Sequence, residues 1–266
     1  MSTGNVSKDG SVPTVRVGGL ETVTLDRKEL ASLMVEDCMR SRDKGGESLP
    51  KLVFSSNGQG LALARQDASF ADLMGQADIV HADGMPVVLF SRLTSTPIRQ
   101  RSATTDFFHD AARASEMAGL KFFILGSDER QNSAAILAMK RMYPRLQIVG
   151  SHHGFFDDAD DLQVCEMVRS SGADVLWVAL GKPRQEQWSV RNRKNLGGVG
   201  WVKTCGGLYA FLAGDVPRAP EWMQSLGLEW LYRLMGDPRR LIVRYLLTNP
   251  VALMTLIFKT RYRAKS

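Results

Sequence analysis

A carboxylate followed by glycine, at the end of a short apolar run, is the first place in this chain where chemistry can sit: Asp83-Gly84-Met85-Pro86, just past Ile79-Val80-His81-Ala82. An aspartate within hydrogen-bond reach of a substrate hydroxyl can act as a general base. The same Asp–Gly pair also suits a plain turn or a helix N-cap. Upstream, Phe54-Ser55-Ser56-Asn57-Gly58 ends another apolar run in small polar groups, fit for hydroxyls, phosphate or ordinary capping. Gly126-Ser127 after KFFIL starts like a phosphate-binding loop, because free N–H groups at a helix start favour anions. Its spacing matches neither G-x-G-x-x-G nor G-x-x-x-x-G-K-[ST]. Gly181-Lys182-Pro183-Arg184-Gln185-Glu186-Gln187-Trp188 gathers bases, amides and a carboxylate behind the most apolar run, and half of that polarity is expected on solvated helix surface. Thr204-Cys205-Gly206-Gly207 allows close backbone approach to a ligand, or simply a tight turn. The pair His152-His153 should point to opposite faces of a strand. With no third ligand at a diagnostic spacing, neither metal nor cofactor is expected. No Ser–His–Asp set is visible. These residues reach a crevice around Asp83 for a phosphorylated or hydroxylated ligand, and they name no reaction.

The elements that must position them follow from pattern. Apolar runs at 51–54, 78–81, 121–126, 146–150, 174–180 and 200–205 are bounded by Gly, Asp, Ser or Asn and mostly lack strict alternation, as strands covered on both faces should. Helix-period segments lie between them, at 28–40, 61–74, 106–119, 131–143 and 184–194. This cadence predicts an α/β fold, a mainly parallel Rossmann-like sheet with helices on both faces. Ligands of such sheets bind beyond the carboxyl ends of the strands, where the polar segments above fall.

The 266 residues, 44% hydrophobic and 23% charged, have ordinary globular composition, which excludes collagen-like, disordered and disulfide-scaffold classes. Three cysteines without C-x-x-C spacing support neither a disulfide framework nor a zinc site, so a reducing, cytoplasmic compartment is expected. The opening residues carry no signal-peptide core. Nine basic residues against three acidic ones between Arg218 and Ser266 hold the whole formal excess of +6. Two units are therefore expected, a core at 15–217 and a basic, apolar helical appendage at 218–266. In the appendage, Asp237-Pro238 and Asn249-Pro250 should break the apolar stretches into short helices. Its most apolar part, 246–258, falls short of the ~20 residues that cross a bilayer. Mixed basic and apolar residues there fit docking on an anionic membrane surface. A helical layer over the sheet with a solvated charged face is the plainer alternative. The charge also meets what nucleic acid requires, but no DNA or RNA module is recognisable, so no nucleic-acid partner is expected.

Taken together, ADGMPVV, FFILGS, YPRLQIVGSHHGFF, VLWVALGKPRQEQW, GVGWVKTCGG…FLAG…RAP and LGLEWLYRL…DPRRLIVRYLLTNP resemble the WecG/TagA/CpsF family of bacterial glycosyltransferases over about residues 15 to 258. The resemblance implies an inverting, metal-independent transfer of a hexose from a UDP-sugar to a polyprenyl-diphosphate-linked saccharide, in cell-surface or exopolysaccharide synthesis. It places the protein peripherally on the inner face of the cell membrane and is compatible with a homo-oligomer. It implies Asp83 as base, with Gln185 and Ser55 as further catalytic positions, Ser55 standing where the family carries threonine. Substrate-binding positions are expected at Asn57, Gly84, Gly126, Ser127, Lys182, Glu186, Gly206, Gly207 and Tyr209, and the resemblance adds Arg233, Arg240 and Arg244, engaging diphosphate charge. Tyr209-Ala210-Phe211 stands where the family pattern carries an acidic residue. The competing classes are a nucleotide-binding oxidoreductase, disfavoured by the missing dinucleotide fingerprint, and a non-catalytic scaffold of a polysaccharide assembly complex.

Overall fold

The computed structural model describes residues 12–45 and 48–262. The opening segment read for a leader, and Arg263 and Lys265 of the basic tail, lie outside them. A hairpin of β1 (Thr14–Val17) and β2 (Leu20–Val23) leads into α1 (Arg27–Asp43). There follow β3 (Lys51–Ser56), α2 (Gly58–Gln66), α3 (Ala68–Gly75), β4 (Ile79–Ala82), α4 (Met85–Ser91) and α5 (Thr104–Ala118). Then come β5 (Lys121–Gly126), α6 (Glu129–Met142), β6 (Gln147–His152), α7 (Asp161–Ser170), β7 (Val175–Ala179), α8 (Arg184–Arg191), β8 (Trp201–Thr204) and α9 (Leu208–Leu212). The chain ends in α10 (Glu221–Ser225), α11 (Glu229–Gly236) and α12 (Pro238–Lys259).

The six strands β3–β8 form one sheet in the order β4-β3-β8-β7-β5-β6, every neighbouring pair parallel. All their carboxyl ends therefore share one edge. Side chains alternate between two cores. Leu52, Phe54, Val80, Phe123, Leu176 and Val202 face one; Val53, Ile79, Phe122, Val175, Trp177 and Trp201 face the other. Each face is covered: α2, α3, α4, α7, α8 and α12 contribute to the first core, α1, α5, α6 and α9 to the second. Two-sided burial explains the continuous apolar runs.

Three expectations are corrected. The helix expected over 61–74 is two helices, because Asp67 is extended (φ −130°, ψ 111°) and its carboxylate accepts from the N–H groups of Ser69 and Phe70, starting α3 afresh. The hairpin at 14–23, absent from the predicted elements, pairs in register from Thr14–Val23 to Val17–Leu20. The break expected at Asn249-Pro250 does not occur; α12 runs through Pro250. An interior proline costs about 3 kcal/mol. Buried Leu241 before it, and Ala252, Thr255 and Leu256 after it, pack both halves onto the core and offset that cost. The stretch Leu241–Lys259 is consequently long and apolar enough, by length and composition, to cross a membrane.

The last helix is nevertheless fastened to the core. The amides of Gly18 and Gly19 donate to Thr260 Oγ1 (3.1 Å) and Lys259 O (2.9 Å), and Arg261 N to Arg16 O (3.1 Å). Gly18 sits at φ +59°, and a Cβ there would stand 2.7 Å from a Leu61 methyl, so the hairpin tip approaches α2 only as glycine. α12 thus lies along the molecule, one flank on α2 and the other open.

Candidate active site

Asp83 stands at the carboxyl edge, one residue beyond β4, partly exposed. Both its oxygens are held. Oδ2 accepts from Asn57 Nδ2 at 2.9 Å and Oδ1 from the Thr104 amide at 2.8 Å. Asn57 can do this because β3 ends where α2 begins: as N-cap its Oδ1 accepts from Gly60 N (3.0 Å), which turns its amide nitrogen toward the neighbouring strand. Gly84 permits the approach, since a Cβ there would lie 3.2 Å from Asn57 Cα. Burial pushes the Asp83 carboxyl up, but Arg101, the Asn57 amide and the Thr104 N–H outweigh it and hold the group below the usual range. It is therefore ionised at neutral pH.

A second polar chain extends across the edge from Ser55. Lys182 Nζ donates to Ser55 O (3.3 Å) and to Glu186 Oε1 (2.7 Å), Gln185 Nε2 donates to the same Glu186 oxygen (2.8 Å), and Gln185 Oε1 accepts from Gly206 N (3.0 Å). The Gly181–Trp188 polarity is not solvated surface at this end. Glu186, Gln185 and Ser55 are buried, and Glu186 Oε2 is buried without a partner. Gln185 thereby braces the Gly206 turn from within. The structure brings together Asp83, Gly84, Asn57, Ser55, Lys182, Gln185, Glu186 and Gly206. Arg233 of α11 joins them beside Gly207, its guanidinium 5.4 Å from the Phe211 ring centre.

Other expected positions fall elsewhere. Tyr209 is a core residue, fully buried, its hydroxyl donating to Trp177 O at 2.8 Å, and it does not line the crevice. Leu208, beside it on α9, is buried as well. The phosphate loop expected at Gly126-Ser127 is already filled: the Ser127 amide donates to Ala179 O (3.1 Å), and the Asp128 carboxylate caps α6 at Gln131 N (2.7 Å). A negative cap at that helix start works against an anion. Arg244 leans on Tyr245, 5.0 Å from its ring centre. Arg240 lies on α12, its side chain outside the described residues. The histidines do not straddle a strand: β6 ends at His152, and the two rings lie 4.5 Å apart.

Three groups at the site escaped the sequence reading. Arg101, in the loop before α5, donates through Nε to Asp83 O (2.7 Å) and through Nη2 to Glu229 Oε2 (2.6 Å), tying α11 to the residue that carries the carboxylate. Lys203, inside β8, is fully buried; burial pushes its ammonium down to about 8, with Cys205 and Asp83 opposing the fall. His81 is likewise buried, and desolvation, with Lys203 nearby, pushes its imidazole down to about 3, so it is neutral at pH 7. A lysine within an otherwise apolar run was a visible signal; Arg101, in an aperiodic loop, gave none. A cavity of about 740 Å³ lies at the opposite edge of the sheet, where Arg42 and the Lys121 amide already occupy the Asp174 carboxylate.

The model of the glycosyl transferase WecG/TagA/CpsF family matches residues 15–266. The chain belongs to that family. A Bacillus subtilis (strain 168) N-acetylglucosaminyldiphosphoundecaprenol N-acetyl-beta-D-mannosaminyltransferase is 30% identical over 177 residues, 66% of this chain and 68% of the relative. A protein of the same name from Bacillus spizizenii is 28% identical over 76% of this chain and 77% of its own. One from Staphylococcus aureus (strain MW2) is 26% identical over 71% and 73%. Family membership covers the core and the helical tail alike, and α11 and α12 reach the edge around Asp83 from within that matched span.

Proposed function

We propose that this glycosyltransferase moves a hexose from a UDP-sugar to a polyprenyl-diphosphate-linked saccharide, with inversion and without a metal, at the inner face of the cell membrane. The observation that carries this is Asp83: an ionised, partly exposed carboxylate at the carboxyl edge, with one donor on each oxygen and lone pairs left for a substrate hydroxyl. The acceptor oxygen attacks the anomeric carbon opposite the diphosphate, its proton passes to Asp83, and the bond from that carbon to the diphosphate oxygen breaks with its electron pair. A carboxylate held below its usual range accepts the proton only as the hydroxyl acidifies during attack, so deprotonation and bond formation proceed together. Arg233, whose guanidinium lies beside Gly207, would meet the departing charge.

The names of the relatives support a diphosphate-linked sugar on a polyprenol as acceptor. The open flank of α12 supports the membrane location. Leu246 and Phe258 are 68% and 73% exposed, with Leu247, Leu253 and Met254 beside them and exposed Arg239, Lys259 and Arg261 near the two ends. Each cation contributes about 1 kcal/mol near anionic lipid. Because the hairpin holds the end of α12, the helix fits a position along the headgroup layer with the core above it.

The test is transfer itself. Purified protein is incubated with several UDP-hexoses and a short polyprenyl-diphosphate N-acetylglucosamine in anionic vesicles, and product is read by mass. Asp83→Asn should lower turnover by about 10²-fold or more with the fold retained by circular dichroism. Near-wild-type turnover of that variant removes Asp83 as base, and no product from any donor removes the transfer.

A further inference from the structure

The cations around the carboxyl edge differ in what already holds them. Lys182 lies 2.7 Å from Glu186, Arg101 2.6 Å from Glu229 and Arg218 3.0 Å from Asp106. Arg233 forms no ion pair among the described residues; its guanidinium lies over the ring of Phe211, 5.4 Å from the centre. Phe211 stands on α9, which follows the Gly206-Gly207 turn at the end of β8. Tyr209 anchors that short helix, fully buried with its hydroxyl on Trp177 O. Phe211 lies about 200° further round the helix, half-buried and in neither core. A second guanidinium, that of Arg218, lies 5.9 Å from the same ring centre. Its Nη1 donates to Thr105 Oγ1 and its Nη2 to Gln224 Oε1 (2.5 Å), next in the chain to the Thr104 amide that holds Asp83 Oδ1. One ring therefore meets one arginine committed to a carboxylate and one that keeps its full charge.

A carboxylate partner would hold Arg233 in place, but it would neutralise the guanidinium and would have to be displaced before an anion could bind. The face of a phenyl ring attracts a guanidinium through its quadrupole while carrying no net charge. A stacked guanidinium keeps its N–H donors, which lie in its own plane, for phosphate oxygens. We propose that Phe211 is a positioning residue of the diphosphate site. Its ring holds Arg233 beside Gly207, where Nη2 lies 4.0 Å from the place of a Gly207 Cβ, and leaves the charge available to phosphoryl oxygens. The identity of the anion rests on the transfer proposed above; the coupling of ring to guanidinium does not.

The test is a double-mutant cycle read by binding. Inorganic pyrophosphate is titrated by calorimetry into the full chain as wild type, Phe211→Leu, Arg233→Ala and the double variant, with circular dichroism checking the fold. Phe211→Leu should weaken binding about fivefold, and Phe211→Tyr, which keeps the ring, should restore most of the loss. Should Phe211→Leu not fold, Phe211→Met makes the same comparison. Arg233→Ala should weaken binding further, and removing the ring in that background should add nothing. Equal losses in both backgrounds, no recovery with tyrosine, or a wild type that binds no pyrophosphate overturns the proposal. In the transfer assay, Phe211→Leu should lower kcat/KM for the donor about fivefold with KM for the acceptor unchanged; a loosened Asp83 would change both. If the wild type transfers nothing while the binding cycle comes out as expected, the transfer reading fails and the positioning of Arg233 stands.

Discussion

The contact between Arg101 and Glu229 is where the helical tail meets the site. Its strength can be worked from the structure. The guanidinium and carboxylate lie 2.6 Å apart with side chains 18% and 14% exposed. An exposed pair contributes 0.2–1 kcal/mol, whereas stripping one partner from a buried pair costs about 3–5 kcal/mol. This pair sits between those limits, so the coupling should be about 2 kcal/mol. Glu229 also meets Arg218 at 3.8 Å, and Arg101 keeps its bond to Asp83 O, so each single variant retains part of the network. The assay is a double-mutant cycle of Glu229→Gln, Arg101→Ala and both, read by urea midpoint and by kcat/KM for the lipid-linked acceptor. Glu229→Gln should lower the melting temperature by about 4–8 °C, taking 2–4 °C per kcal/mol for a chain of this size. The coupling should persist in high salt because the pair is mostly shielded from water. A coupling below about 0.5 kcal/mol, or one that vanishes in salt, would mean an ordinary surface pair and would refute α11 being clamped to the Asp83 strand.

Two further outcomes are expected. Gly126 has φ +122°, and a Cβ there would stand 2.4 Å from the Ala179 carbonyl oxygen, with backbone and no flexible side chain to yield. Gly126→Ala should therefore cost about 3 kcal/mol or more, while Gly181→Ala, at φ +77° with open space around it, should cost about 1 kcal/mol by chemical denaturation. His81, pushed down to about 3 in the fold, takes a proton in the unfolded chain first. Its stability contribution is complete above about pH 6.5 and is lost as pH falls toward 3. Between pH 7 and 5 this amounts to about 2 kcal/mol, and urea midpoints at the two pH values should show a steeper loss in the wild type than in His81→Gln.

Much of the site was legible because a parallel sheet sends every strand's carboxyl end to one edge. Knowing only where apolar runs stop, one reaches Asp83, Asn57, Ser55, Lys182, Gln185, Glu186 and Gly206, and the structure joins Asp83 to Asn57, and Ser55 through Lys182 and Glu186 to Gln185 and Gly206, by hydrogen bonds. Two expected positions lie outside these contacts for a different reason. Tyr209 and Ser127 follow strand ends just as the others do, yet which way a short helix turns a side chain, or whether a neighbouring carbonyl has taken an amide, depends on partners more than 25 residues away. Pro250 misled because local cost was weighed without the packing of α12 on α2.

Composition and periodicity alone settled the α/β class, the two-sided burial of the strands, the concentration of charge in the last fifty residues and the edge to which the strands' carboxyl ends bring the polar segments. These are local quantities, set by how apolar and polar residues alternate along a few turns or one strand. Only tertiary structure decided that Arg101 bridges the Asp83 strand to Glu229, that Lys203 is sealed in the central strand, and that the hairpin pins the end of α12. Each of these is a contact between charges or amides distant in sequence, and their strength comes from exclusion of water, which no stretch of chain achieves until the others have closed over it.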